Sequence, residues 1–393
     1  MKISDSVAYV GVNDFGIDLF EGQFQVPNGM SYNSYLILDE KICIIDSVDA
    51  NFGDEWISNI QQTLATSLNA KDRTPDYLVV LHMEMDHSSN IKKFTEQFPK
   101  AKIVSSKMAF NMMKNMFEDD FTDNQIVVTE GETLNLGTHT LQFMSAPHVH
   151  WPEVLIAYEE KEQILFSADA FGTFGALPLS NLENWEEEAR RYYFGIVGKF
   201  GTAVATVLKK ISTHDIKTIC SLHGPIINNN ITHYINLYNR WANYDVETQG
   251  VVIAYTSVYG HTKTAVKKLG EILTAKGCPH VTILDLARED IYKCVAETFR
   301  YGKIVFASTT YNGGVFPAMR EFIQHLVERN FQKRTIALIE NGSWAPLATK
   351  TMFALLEPCS NLTYTSTKVS IKISMKEADV AALENLADEL LKS

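Results

Sequence analysis

Four side chains able to bind a metal, His82, Glu84, Asp86 and His87, fall in the short stretch L-H-M-E-M-D-H-S at residues 81–88. That is more than one ion needs from one segment. Alternate residues of extended chain point the same way. His82, Glu84 and Asp86 are therefore expected to converge, with His87 reaching a second point. The pattern predicts two metal ions held by mixed oxygen and nitrogen ligands, with no thiolate. The remaining ligands are expected from later segments: His150 in A-P-H-V-H-W-P-E, Asp169 in F-S-A-D-A-F-G and His223 in C-S-L-H-G-P. Spacing alone does not choose between His150 and His148, two residues earlier.

These side chains need strands to carry them. Residues 76–81 (D-Y-L-V-V-L) read as a buried strand, so the cluster opens a loop at a strand end. Asp169 follows an apolar run at 164–167 and His223 follows one at 218–221, where a layered α/β fold puts its site residues. Two strands are expected over 33–46 around a turn at 39–41. Further strands are expected near 102–105, 125–129, 140–144, 154–158 and 163–167. Helices are expected over 54–66, 90–97, 107–115, 184–210 and 230–245. Strand runs flanked by helices suit an αββα sandwich.

A polar stretch at 245–250 ends this half, and a new alternation begins. Strands are expected near 251–256, 280–286, 303–308, 335–340 and 366–372, with helices over 262–276, 290–299, 316–329, 345–356 and 376–391. Five strands alternating with helices predict a doubly wound parallel sheet of flavodoxin type. Its first strand runs into Thr256, Ser257, Val258, Tyr259, Gly260, His261 and Thr262, a hydroxyl-rich phosphate cradle at a helix N-terminus. No lysine closes this loop as in a nucleotide P-loop, which suits the phosphomonoester of FMN. The third strand leads into Ser308, Thr309, Thr310, Tyr311, Asn312, Gly313 and Gly314. The fourth leads into Asn341, Gly342, Ser343 and Trp344. Tyr311 and Trp344 offer aromatic surface for an isoalloxazine ring, and the glycines allow close backbone approach.

The run H-x-E-x-D-H, then H-W-P, D-A-F-G and H-G, resembles the flavodiiron proteins, or A-type flavoproteins, over nearly the whole chain. The resemblance implies a metallo-β-lactamase-like front half. The zinc form of that fold reads H-x-H-x-D-H. Glu84 in place of the second histidine adds a hard anionic oxygen and shifts preference toward iron. By resemblance, one iron takes His82, Glu84 and the histidine directly before W-P, His150. The other takes Asp86, His87 and His223, and Asp169 bridges. Tyr192 and Tyr193, in R-R-Y-Y, resemble a family tyrosine near the metals, and Tyr193 is assigned that place.

The resemblance further implies reduction of O₂ to water, of NO to N₂O, or both, with electrons relayed through FMN. No rubredoxin module or NAD-binding G-x-G-x-x-G appears, so the donor is expected to be external: rubredoxin, or reduced deazaflavin F420. A head-to-tail homodimer, or a dimer of dimers, is expected to bring one subunit's flavin to the other's irons. A metallohydrolase with a fused flavodoxin and an electron carrier without terminal catalysis are the alternatives. Two departures stand out. Glu153-Val154 follow W-P where the family often has D-S-M, and Phe20-Glu21-Gly22 stands where an aromatic is often followed by histidine.

At 393 residues the chain is too long for one ordinary core; domains are expected over 1–247 and 250–393. A net charge of −12, from 35 basic and 47 acidic residues, disfavours nucleic acid and anionic membrane as partners. Five scattered cysteines without C-x-x-C exclude a zinc ribbon or a disulfide framework. With no signal sequence at residues 1–10 and no run of about 18 apolar residues, a cytoplasmic location is expected.

Overall fold

Apolar runs of the first half form strands covered on both faces. Tyr35–Ile37, Cys43–Ile45, Leu155–Glu159 and Ile164–Phe166 are buried at every position. The computed structural model describes residues 1–67, 70–119 and 121–392. In it, Val7–Tyr9, Tyr35–Ile37, Cys43–Ile45, Tyr77–Val79, Lys102–Ser105 and Gln125–Val127 make one sheet in that order. Thr133–Asn135, Thr140–Ser145, Leu155–Glu159, Ile164–Phe166 and Thr218–Cys220 make a second. The sheets meet through Tyr35 and Phe166, whose ring centroids lie 5.4 Å apart, and the Tyr35 hydroxyl donates to the Ser221 carbonyl.

Helices cover the sheets with apolar faces at helical spacing. In Gly53–Thr66 the face is Trp56, Ile57, Ile60 and Leu64, with Asp54 and Glu55 complementing the helix dipole in the first turn. Lys107–Phe117 begins at Ser106, whose hydroxyl accepts the Ala109 N–H at 3.1 Å.

The single helix expected over 184–210 is instead four pieces: Trp185–Tyr192, a wide π turn at Tyr193–Val197, a 3₁₀ turn at Gly198–Phe200, and Gly201–Ile211. Glycines at 195, 198 and 201 weaken helix continuity there. Gly195 lets the chain pass close to Phe24, because a Cβ would lie 2.7 Å from that ring. Short ribbons near the N-terminus, Val12–Asp14 with Met30–Tyr32 and Leu19–Phe20 with Phe24–Gln25, are too brief to show periodicity.

In the second half, Val281–Asp285, Thr248–Tyr255, Tyr301–Tyr311, Gln332–Asn341 and Ser360–Tyr364 stand in that order, all parallel. This is the flavodoxin order, second strand outermost beside the first. The last strand, expected over 366–372, is interrupted: Ser360–Tyr364 and Val369–Ile371 each pair with Gln332–Asn341. Helices His261–Ala275 and Glu377–Lys392 cover one face through Leu269, Leu273, Leu383, Leu386 and Leu390.

The chain divides into two compact units, Met1–Asn239 and Arg240–Ser393. Residues just after the division are tied to the second unit. Trp241 donates to Glu247 at 2.8 Å, and buried Arg334 donates to the carbonyls of Tyr244 (2.7 Å) and Phe299 (2.6 Å). Among the described residues no helix is long and apolar enough to cross a membrane.

Candidate dinuclear metal centre and flavin cavity

The strand Tyr77–Val79 delivers the first segment of metal-competent side chains. Asp46, just past Cys43–Ile45, clamps it by accepting the backbone N–H groups of Leu81 (2.8 Å) and His82 (3.4 Å). The segment does not stay extended. Met85–Ser88 closes a helical turn, held by the Ser88 hydroxyl donating to the carbonyls of Met83 and Glu84 at 2.9 and 2.8 Å. That turn overturns the expected convergence of His82, Glu84 and Asp86. Glu84 stays with His82, while Asp86 swings with His87 to a second point.

Two groups result. His82, Glu84, His150 and Asp169 form one, and Asp86, His87 and His223 the other; within each, ligand-type atoms lie within 4.8 Å of one another. In the first, His150 Nε2 is 3.0 Å from Glu84 Oε2, 3.0 Å from Asp169 Oδ2 and 3.3 Å from His82 Nε2. In the second, Nε2 of His87 and Nε2 of His223 face each other at 2.9 Å, each 3.3 Å from Asp86 Oδ2. Asp169 spans both: Oδ2 faces His82 and His150, while Oδ1 lies 3.5 Å from His87 and 3.9 Å from His223. His148 is exposed, at a positive φ of 64°, and stacks on Phe200 instead.

The electrostatics fit cations. Both oxygens of Asp86 and of Asp169 are buried, with imidazoles facing each carboxylate, an expensive state for carboxylates unless positive charge meets them. Burial disfavours a charged His82, yet Asp169, Glu153 and Glu84 hold it well above the usual histidine range. His150 is likewise raised against burial, to about 9, by Asp169 and Glu84. Burial takes His87 down to about 4, leaving a neutral imidazole. Carboxylates that draw protons onto imidazoles in this way would hold divalent cations in their stead. The five cysteines are free and contribute no sulfur to either group.

Two supporting groups escaped the sequence reading. Glu153 Oε1 lies 2.9 Å from His82 Nδ1, and the Ser31 carbonyl lies 2.7 Å from His223 Nδ1. The signal for Glu153 was its place three residues after His150; a backbone carbonyl carries none. Tyr193 requires correction. Its ring packs against Phe194 and Tyr238. The tyrosine beside the centre is Tyr192, its ring 5.6 Å from that of His223 and its buried hydroxyl without a partner among the described residues. The change from α to π winding begins at Tyr193 and turns that side chain away.

The second unit carries a cavity of about 430 Å³ at the carboxyl ends of its strands. Ser257, Val258, Tyr259, His261 and Thr262 line it with Thr309, Thr310, Tyr311, Asn312, Gly313, Asn341, Gly342, Ser343 and Trp344. Thr256 and Ser308 lie beneath, buried and bonded to each other at 2.8 Å, and with Gly260 and Gly314 fall outside the lining. Gly260 caps the helix His261–Ala275 at a φ of 88°, and Ser257 Oγ accepts the N–H groups of Gly260 and Lys263. Thr310 binds the next loop, accepting the Leu347 N–H at 2.9 Å. Ile373, an unforeseen wall residue, is held by both polar atoms of Asn341. Tyr259 and Trp344 stand 90% and 88% exposed at the rim. Such exposure of large rings marks a surface built to be covered, and it suits a flat aromatic ligand with its phosphate on the hydroxyl loop.

A paired metal centre in a two-sheet sandwich, followed by a flavodoxin sheet, defines a fused metalloflavoprotein. Residues 30–224 match the ODP family beta lactamase model and residues 252–363 a flavodoxin domain. The chain is 31% identical over 340 residues to a nitric oxide reductase of Moorella thermoacetica, covering 83% of this chain and 82% of that one. Its fold superposes on the flavodiiron protein of Giardia intestinalis with a TM-score of 0.91 at 26% identity, covering 100% of this chain and 95% of that one. The rubredoxin oxygen:oxidoreductase of Desulfovibrio gigas gives 0.90 at 26%, covering 100% and 98%. The chain spans about half the length of the diflavin flavoproteins it also matches. It belongs to the flavodiiron protein family.

Proposed function

We propose that this chain is a flavodiiron oxidoreductase that reduces O₂ to water, NO to N₂O, or both, at a non-haem diiron centre. FMN relays the electrons from an external donor. The observation that carries the reading is Asp169, whose two buried oxygens face one imidazole group each. His82, Glu84 and His150 would hold one iron and Asp86, His87 and His223 the other, with Asp169 shared. When bound, the irons and the flavin supply the electrons, and the protein tunes them through ligands and burial.

The chain's own residues set the conditions. Glu84 adds a hard anionic oxygen that favours iron over zinc, and Asp86 and Asp169 offset further cationic charge. The rings of Phe20, Tyr32 and Tyr192 pack round His223 at 5.4, 5.9 and 5.6 Å and limit water there. Tyr192 keeps its proton, first through burial and then through the charges of Asp169 and Glu84. It can therefore donate a hydrogen bond without itself ionising. On the flavin side, hydroxyls and N–H groups would hold the phosphate, and Tyr259 and Trp344 would flank the ring.

Rubredoxin is the donor favoured by the likeness to the Desulfovibrio gigas enzyme, with reduced deazaflavin second. A head-to-tail homodimer is favoured by charge. Residues 1–239 carry 17 basic and 31 acidic side chains, and residues 240–393 carry 18 and 16. Head-to-tail pairing sets the acidic unit against a near-neutral one rather than against its own copy. Scattered free thiols suit the cytoplasm.

The test is to reduce iron- and FMN-loaded protein and follow O₂ and NO consumption separately, with metal content measured on the same sample. About two irons per chain with rapid turnover of either gas is the expected result, and the rate ratio names the substrate. Zinc in place of iron, with no gas consumed, would overturn the reading. A monomer in sedimentation at assay concentration would overturn the dimer alone.

A further inference from the structure

The two metal positions receive different support from behind, and this inference rests on the two-metal reading above. The Glu153 side chain is fully buried. Its Oε1 takes the Nδ1 edge of His82 at 2.9 Å and the Met83 N–H at 2.9 Å. With the ring proton held on Nδ1, the lone pair of His82 Nε2 faces Glu84 and Asp169, 3.4 and 3.6 Å away. In the other group, His223 gives its Nδ1 edge to a neutral acceptor, the Ser31 carbonyl, at 2.7 Å. Nδ1 of His87 is buried with no partner among the described residues. Among the described residues, anionic support from behind an imidazole thus reaches His82 and neither His87 nor His223.

We propose that Glu153 makes the two positions unequal. It is a positioning residue that acts through His82, making the position of His82, Glu84 and His150 the tighter one and its iron the harder to reduce. The physical reason is that a carboxylate behind an imidazole raises the basicity of the ring and fixes its orientation, strengthening its bond to a cation. Added negative charge also favours the more oxidised metal. Glu153 lies in the same loop as His150, so one segment supplies a ligand to this position and the support for another.

The experiment is a chelator challenge of iron- and FMN-loaded protein, comparing wild type with Glu153→Gln, which keeps the shape and a neutral acceptor. Wild-type iron should leave in two phases. Glu153→Gln should quicken the slow phase about 10- to 100-fold, leave the fast phase and the flavin content unchanged, and raise the midpoint potential of one iron in an EPR-monitored titration. If that variant, folded and holding two irons, releases both as wild type does, or quickens both phases equally, the inference is wrong. Should it not fold, Glu153→Asp carries the test: the charge is kept, so two distinct phases are expected, and one merged phase overturns the inference. A wild-type chain that does not hold two metals would overturn the two-metal reading itself.

Discussion

The carboxylate of Glu84 stands 3.0 Å from Nε2 of His150, 66 positions away in sequence. That meeting joins the loop after Tyr77–Val79 to the loop after Thr140–Ser145, and it sets an anionic oxygen where an imidazole would favour zinc. Glu84→His should therefore yield protein with zinc largely replacing iron and gas turnover reduced about 100-fold or more. Elemental analysis beside an oxygen-electrode assay reads both. Iron retained at two per chain would contradict the role given to Glu84.

Among the described residues, Asp169 is the carboxylate that faces both groups. Asp169→Ala should lose most iron and lower turnover on the order of 1000-fold, while FMN content, set by the other unit, stays at wild-type level. Unchanged gas consumption with a flavin that still cycles would identify the metal half as scaffold and the protein as an electron carrier.

Trp344 is an exposed ring at the rim of the flavin cavity. Trp344→Ala should weaken FMN about 10-fold, equivalent to about 1.4 kcal/mol, leaving iron content unaltered. Fluorescence titration of flavin-stripped protein measures this, and an unchanged Kd would remove Trp344 from the site.

Asp39 reports on the fold away from the metals. Burial pushes its carboxyl up, but hydrogen bonds from His139, Glu40 and Thr138 outweigh that and leave it at about 2, against the usual 3.8. A group whose folded value is depressed stabilises the fold above its unfolded value and loses that stabilisation as pH falls through the folded one. The contribution of Asp39, reduced by solvent screening, should be complete above about pH 4 and vanish toward pH 2. Asp39→Asn should therefore lower the Tm at pH 7, with the gap to wild type closing over that interval. A gap that persists at pH 2 would assign the effect to lost packing rather than charge.

The segments that meet in the two ligand-type groups were legible because chemistry is written in residue type: four ligand-type side chains after an apolar run, and three more at strand ends. The parallel sheet was legible through its alternation with helices. What was hidden depends on local winding. The turn at Met85–Ser88, which sends Asp86 away from Glu84, follows from Ser88 bonding backward to the Met83 and Glu84 carbonyls, and no periodicity records that. The choice of Tyr192 over Tyr193 hangs on where α winding becomes π. Phe24 against Gly195 is a tertiary contact that overrides the helical pattern of residues 184–210. Ser31 acts through its main chain, so its identity says nothing about the bond to His223.

His82 and His150 are 68 positions apart, and His87 and His223 are 136 apart. An ion bound between each pair closes a long loop of the chain, much as a disulfide does, and long closures remove the most freedom from the unfolded state. The ions that would carry the chemistry would thus also act as cross-links in a unit whose own cysteines form none. Iron supply would then bear on how much of the first unit stands folded.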